Sequence, residues 1–135
     1  MARALMTASV GLLLGATLGV GCHDGMEAMK AQAREGKPEP LCRSVCEHIH
    51  DCRAGTRTES VADCVKGCID DETAWTDACR NATVVSMACH NALSCETLRP
   101  LYDAEVETPG EACEAERQAV RDCQPATEEF IYFQF

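Results

Sequence analysis

The sequence predicts an all-α, disulfide-rich helical bundle, and three observations carry that expectation. Apolar and cysteine residues recur at three- and four-residue spacing through residues 41 to 124, and that span shows no period-2 strand pattern. Eleven cysteines stand in 135 residues, a density that belongs to scaffolds held by bridges. Large core side chains are scarce, with Trp75 and Tyr102 the aromatic residues of the span. A bridge closing a loop of about 15 to 20 residues stabilises a fold by on the order of 3 kcal/mol, so about five of them offset the missing core.

The elements are justified in chain order. Arg3 and the amino terminus form a short positive region, the run Val10 to Gly21 is apolar and small, and no acidic residue occurs before Asp24. Residues 1 to 21 therefore read as a secretory signal peptide. A membrane-spanning helix wants about 20 apolar residues and this run is interrupted by Gly11, Gly15 and Gly19. The residues Leu18-Gly19-Val20-Gly21-Cys22 resemble a bacterial lipobox, in which a small residue precedes a cysteine that takes a diacylglyceryl group. The resemblance implies cleavage after Gly21 and lipidation of Cys22. The chain departs from the pattern at Gly19, where the usual leucine is displaced to Leu18, so small-x-small cleavage at Gly19-x-Gly21 without a lipid is the second reading. An odd cysteine in an exported chain is used for something other than an internal bridge, and lipidation of Cys22 accounts for it.

Residues 22 to 40 are polar and lack cysteine after Cys22. They end in Gly36-Lys37-Pro38-Glu39-Pro40, which cannot continue a helix, so the segment is expected to be a flexible tether with at most a short helical piece from Met26 to Arg34. The folded domain is expected over residues 41 to 124. Leu41, Cys42, Val45, Cys46, Ile49 and Cys52 share one helical face, and Val61, Cys64, Val65, Cys68 and Ile69 repeat the pattern after a turn at Arg53 to Arg57. Ser60 with Asp63 gives the second helix a cap-like start. Two antiparallel helices follow. A third helix is expected from about Thr73 to Leu93, with β-branched Thr83-Val84-Val85 marking a break. Pro100 to Glu107 reads as a connection. Thr108, Pro109 and Glu111 then cap a last helix that carries Cys113, Ala119, Val120 and Cys123 and stops at Pro125.

Cys42-x3-Cys46 and Cys64-x3-Cys68 place paired thiols one turn apart on two neighbouring helices. An antiparallel hairpin would join Cys46 to Cys64 near its turn and Cys42 to Cys68 further away. Cys79-x9-Cys89 and Cys113-x9-Cys123 form a second set, with Cys79–Cys123 and Cys89–Cys113 the natural pairs, and Cys52 and Cys95 remain for each other. In geometry alone the spacing resembles the twin CX3C and twin CX9C helical hairpins. Ten cysteines allow on the order of a thousand connectivities, so which helices pair is the firmer expectation than any single bond.

Cys46, His48, His50 and Cys52 form the one segment with metal-ligand residue types. On a helix Cys46 faces His50 while His48 faces Cys52, in different directions, and an exported chain meets oxidants before zinc; the expectation is no metal and no cofactor. No Cys-x-x-Cys and no Gly-x-Ser-x-Gly occurs, so no catalytic residue is assigned. Glu114 with Glu116, and Asp70 with Asp71, are expected as solvated faces. Asn81-Ala82-Thr83 fits a glycosylation acceptor that matters only in a eukaryote.

The net charge of −10 argues against nucleic acid and anionic headgroups as partners, because both need basic patches. Membrane attachment would come from acyl chains. The tail, residues 125 to 135, carries Phe130, Ile131, Tyr132, Phe133 and Phe135, whose alternation resembles the terminal strand of outer-membrane barrels. One strand cannot close a barrel, so these residues are candidates either to cover the bundle or to bind a protein partner. From leader and cysteine rhythm together, the chain resembles small cysteine-rich lipoproteins of predatory and social bacteria, a resemblance that implies no activity. The expected function is a non-enzymatic, lipid-anchored interaction module at the outer membrane or cell surface. A soluble secreted effector or inhibitor and a metal-binding or thiol-active protein are the alternatives.

Overall fold

A computed structural model describes residues 22–55, 59–103 and 110–124. Six helices are formed among them, α1 Cys22–Arg34, α2 Glu39–Asp51, α3 Val61–Asp70, α4 Arg80–Ala92, α5 Cys95–Tyr102 and α6 Glu114–Cys123, and no strand. None of these helices is long and apolar enough to cross a membrane. The fold class is the one the sequence predicts, an all-α bundle with five disulfides.

The segment expected to be a tether is the first correction. Residues 22 to 34 form α1, which packs on α2 and α4 with Ala33 wholly buried and Met26 and Met29 against the main core. Three apolar side chains at i, i+3 and i+7 supply the stripe, and the polar residues between them hid it. Gly36 ends α1 in the left-handed conformation (φ +88°), with Lys37 N–H donating to the Gln32 carbonyl at 2.9 Å and Gly36 N–H to Ala33 at 3.1 Å. This pattern satisfies the orphan carbonyls of the last turn. Pro38 and Pro40 then sit where a helix start has no use for the missing N–H, so α2 begins at Glu39.

The α2–α3 hairpin forms as expected. Arg53 adopts a left-handed conformation (φ 51°) at the end of α2, and Ala54 N–H reaches back to the Ile49 carbonyl at 3.0 Å. Ser60 Oγ accepts from Asp63 N–H at 3.1 Å and caps α3. The core gathers Leu41, Cys42, Val45 and Cys46 of α2, Val65 and Cys68 of α3 and Val84 and Met87 of α4. A smaller cluster of Cys52, Ala54 and Leu98 lies at the other end of α2, with Leu93, Cys95 and Tyr102 around it.

Four features differ from the expectation. Residues 72–79 turn and do not form a helix, because Asp71 Oδ1 accepts from Thr73 N–H (3.1 Å), the Thr73 hydroxyl (2.6 Å) and Ala74 N–H (3.2 Å). No break occurs at Thr83-Val84-Val85; Thr83 is buried and its hydroxyl donates to the Ala74 carbonyl at 2.9 Å, which docks the turn on α4. Pro100 lies inside α5, whose start is capped by Ser94 Oγ accepting from Thr97 N–H at 3.3 Å. The last helix starts at Glu114 from a left-handed Cys113 (φ 56°), later than the expected cap. Thr108, Pro109 and Pro125 lie outside the described residues.

Candidate functional site

The chemistry of the chain is concentrated in its cysteines. The structure brings Cys42 to Cys68 and Cys46 to Cys64 between α2 and α3, and Cys52 to Cys95 between α2 and α5. It also brings Cys79 to Cys123 and Cys89 to Cys113, fastening both ends of α6 along α4. Four of these are the pairs that the two antiparallel hairpins suggest, and Cys52–Cys95 is the pair left over. All ten body cysteines are thereby joined, most of them deeply buried, Cys42 and Cys52 completely. A disulfide sulfur is neither a thiolate nucleophile nor a thiolate ligand.

The Cys46, His48, His50, Cys52 segment is consequently not one ligand set. Cys46 and Cys52 are committed to bridges with different helices, to Cys64 of α3 and to Cys95 of α5. His48 is half-buried and its Nε2 pairs with the Leu93 carbonyl at 2.8 Å, locking the end of α4 to α2, while His50 is exposed with Nδ1 3.8 Å from Asp51. Elsewhere Cys89, Cys113 and Glu116 place their ligand atoms within 4.8 Å of one another, but the two sulfurs are bonded together and leave Glu116 as a single donor.

The acidic pairs have structural work. Asp71 holds the turn described above and Asp70 pairs with Lys66. Glu114 is the correction that matters most: its carboxylate holds Arg117 Nη2 at 2.6 Å and Arg121 Nη2 at 2.5 Å, and the Arg117 side chain is only 8% exposed. Arg117 also donates to the Gly110 carbonyl at 2.7 Å. Asn81 of the would-be glycosylation acceptor takes a hydrogen bond from Arg34 Nε at 3.1 Å.

A buried polar group that the sequence reading missed lies between α4 and α6. His90, 2% exposed, is hydrogen-bonded through Nδ1 to the Tyr102 hydroxyl at 2.9 Å, while its Nε2, Ser86 Oγ and Arg117 Nε are buried without a protein partner. Ser86 and His90 stand one turn apart on α4. Burial, then the nearby Arg117 charge, pushes the His90 pKa down to about 4 against the raising influence of Glu116. The available signal was positional: Cys113, Arg117 and Val120 follow i, i+4, i+7, which puts Arg117 on the inward face of α6. The tail residues Phe130, Ile131, Tyr132, Phe133 and Phe135, and the side chain of Cys22, lie outside the described residues. No protein-family model, curated protein or solved structure matches the chain.

Proposed function

We propose that the chain is a non-enzymatic exported lipoprotein, a disulfide-stabilised interaction module held at an outer-membrane or cell surface by acyl chains on Cys22. The observation that carries this reading is cysteine parity. Ten of the eleven cysteines are consumed pairwise by the bundle, which leaves Cys22 for a different chemistry, at a position whose preceding residues resemble a lipobox. The bridges also favour an oxidising compartment outside the cytoplasm.

The test is the intact mass of the protein extracted from membranes, before and after thiol alkylation under native conditions. A triacylated Cys22 with no alkylatable thiol is the expected result, and Cys22→Ala should abolish membrane retention after a high-salt wash. An unmodified amino terminus recovered in the medium would instead favour the soluble secreted effector or inhibitor. Two or more alkylatable thiols, with metal released on alkylation, would favour the metal-binding or thiol-active alternative and overturn the proposal.

A further inference from the structure

We infer that the bundle stands end-on against a lipid surface with no spacer, its Cys22 end at the headgroups and its Cys79–Cys123 end, where the aromatic tail departs, facing away. The inference rests on the Cys22 anchor proposed above and adds an orientation to it. Its basis is that Cys22 itself belongs to α1. The residue that would carry the acyl chains is thus part of a packed helix, fixed to the core by Met26, Met29 and the fully buried Ala33. A chain anchored there has no slack.

The polarity of the body follows from its connections. A turn of four residues, 35–38, reverses the chain between α1 and α2, so the beginning of α1 lies at the end of the bundle where α2 finishes, near His50, Asp51 and the Cys52–Cys95 bridge. The opposite end is defined by Arg34, whose Nε donates to Asn81 Oδ1 at 3.1 Å at the start of α4. Cys79, immediately before α4, is bonded to Cys123, the last residue of α6. A helix of 13 residues rises about 20 Å, and this separates the anchor from the tail's point of exit.

Lying on one side is disfavoured by the same structure. A helix or bundle that lies in an interface presents an apolar face to it. Among the described residues the exposed large apolar side chains are Ile69 and Val85, on different helices, and the chain's charge of −10 opposes a broad approach to anionic lipid. The acyl chains therefore hold the body by one end, and α6 closes at Cys123 at the end that faces outward.

The experiment uses the full-length lipidated protein, reconstituted into phosphatidylcholine vesicles that contain a phospholipid with a dansylated headgroup. Trp75, the only tryptophan, is a built-in probe of the far end: its indole N–H donates to the Cys68 carbonyl at 2.7 Å, and Cys68 is bonded to Cys42 in the first turn of α2. The exposed His50 marks the near end, so the pair His50→Trp with Trp75→Phe moves the donor there. Energy transfer to the headgroups should be several-fold more efficient from position 50 than from Trp75. Equal transfer from the two positions, in protein that still floats with the vesicles, would overturn the orientation and leave the anchor intact. Protein that does not float would overturn the anchor and the orientation with it. Should Trp75→Phe fail to fold, His50→Trp with Trp75 retained yields the near-end transfer by difference and decides the matter in the same way.

Discussion

His90 Nδ1 is hydrogen-bonded to the hydroxyl of Tyr102 at 2.9 Å, and the two rings meet edge to face with centroids 5.8 Å apart. This contact ties the last turn of α4 to the end of α5 and shuts the imidazole away from water. A neutral imidazole suits the site and an imidazolium does not, because its Nε2 has no protein acceptor and Arg117 adds a like charge.

The consequence is a fold that weakens in mild acid. His90 titrates near 6.5 in the unfolded chain and near 4 in the folded one, so as pH falls the unfolded state takes up the proton first. The stabilisation is complete above about pH 6.5, declines as pH falls towards 4, and is gone below it; the gap corresponds to about 3 kcal/mol. Denaturant unfolding at pH 7.5, 5.5 and 4 should show this decline. His90→Gln, which removes the titration, should show less of it over the same range. Equal slopes for the two proteins would show that His90 does not set the acid sensitivity.

Removing one bridge should cost far more than removing a surface charge. Cys46 is 2% exposed, and its bond to Cys64 closes a loop with a sequence separation of 18. Replacing both by alanine reopens that loop and should cost on the order of 2 to 5 kcal/mol. A melting temperature within a degree or two of wild type would mean that the hairpin packing alone holds α2 to α3.

Glu114→Ala should be costly although Glu114 itself is exposed. Its carboxylate is the one ionic partner of the buried Arg117 guanidinium among the described residues, and loss of a partner leaves a buried cation short of acceptors. The expected loss is on the order of 1 to 3 kcal/mol, read from denaturant unfolding. Glu47→Ala, on the outer face of α2, should stay within about 0.5 kcal/mol. Equal effects for the two variants would place Arg117 in solvent.

How far the fold was legible depends on where the signal sat. Cysteine spacing exposed the α2–α3 hairpin because a residue that must meet its partner reports on two helices at once, and Ser60-x-x-Asp63 marked its start. Helix α1 was legible as a short helical piece from Met26 to Arg34, but its packing stayed hidden, because its buried stripe consists of two methionines and Ala33 among polar neighbours and such a stripe becomes visible only once α2 and α4 are there to cover it. The turn at 72–79 was obscured by helix-compatible spacing, whereas the decisive feature is the Asp71 carboxylate, which captures the backbone locally. The His90 and Arg117 pair was missed for a further reason: both are polar, and only long-range packing of α6 on α4 turns them inward.

Gly55 should resist any side chain. It adopts φ +83°, and a Cβ placed on it would come within 3.1 Å of the Tyr102 carbonyl oxygen, a backbone atom that cannot swing aside. Gly55→Ala combines a strained backbone with this approach, and a loss of about 1 to 2 kcal/mol is expected. Because the contact pushes on α5 next to the His90 bond, the variant should also show altered tyrosine near-ultraviolet dichroism. An unchanged melt would mean that the α2–α3 loop yields freely at this point.

The aromatic tail is the remaining source of unassigned binding energy. Residues 130 to 135 contain four aromatic side chains and one isoleucine, and burying each large side chain is worth roughly 1.5 to 3 kcal/mol. The described part of the bundle offers little for them to cover, since its exposed large apolar side chains are confined to Ile69 and Val85. Deleting residues 130 to 135 should therefore leave the melting temperature within about one degree, a change of a few tenths of a kcal/mol for a domain of this size. It should remove association, measured as sedimentation of the intact protein against the truncated one and as the protein recovered with each after membrane extraction. A lowered melt with new dye-binding apolar surface would instead place the tail on its own bundle. Loss of neither stability nor association would show that these six residues bind nothing.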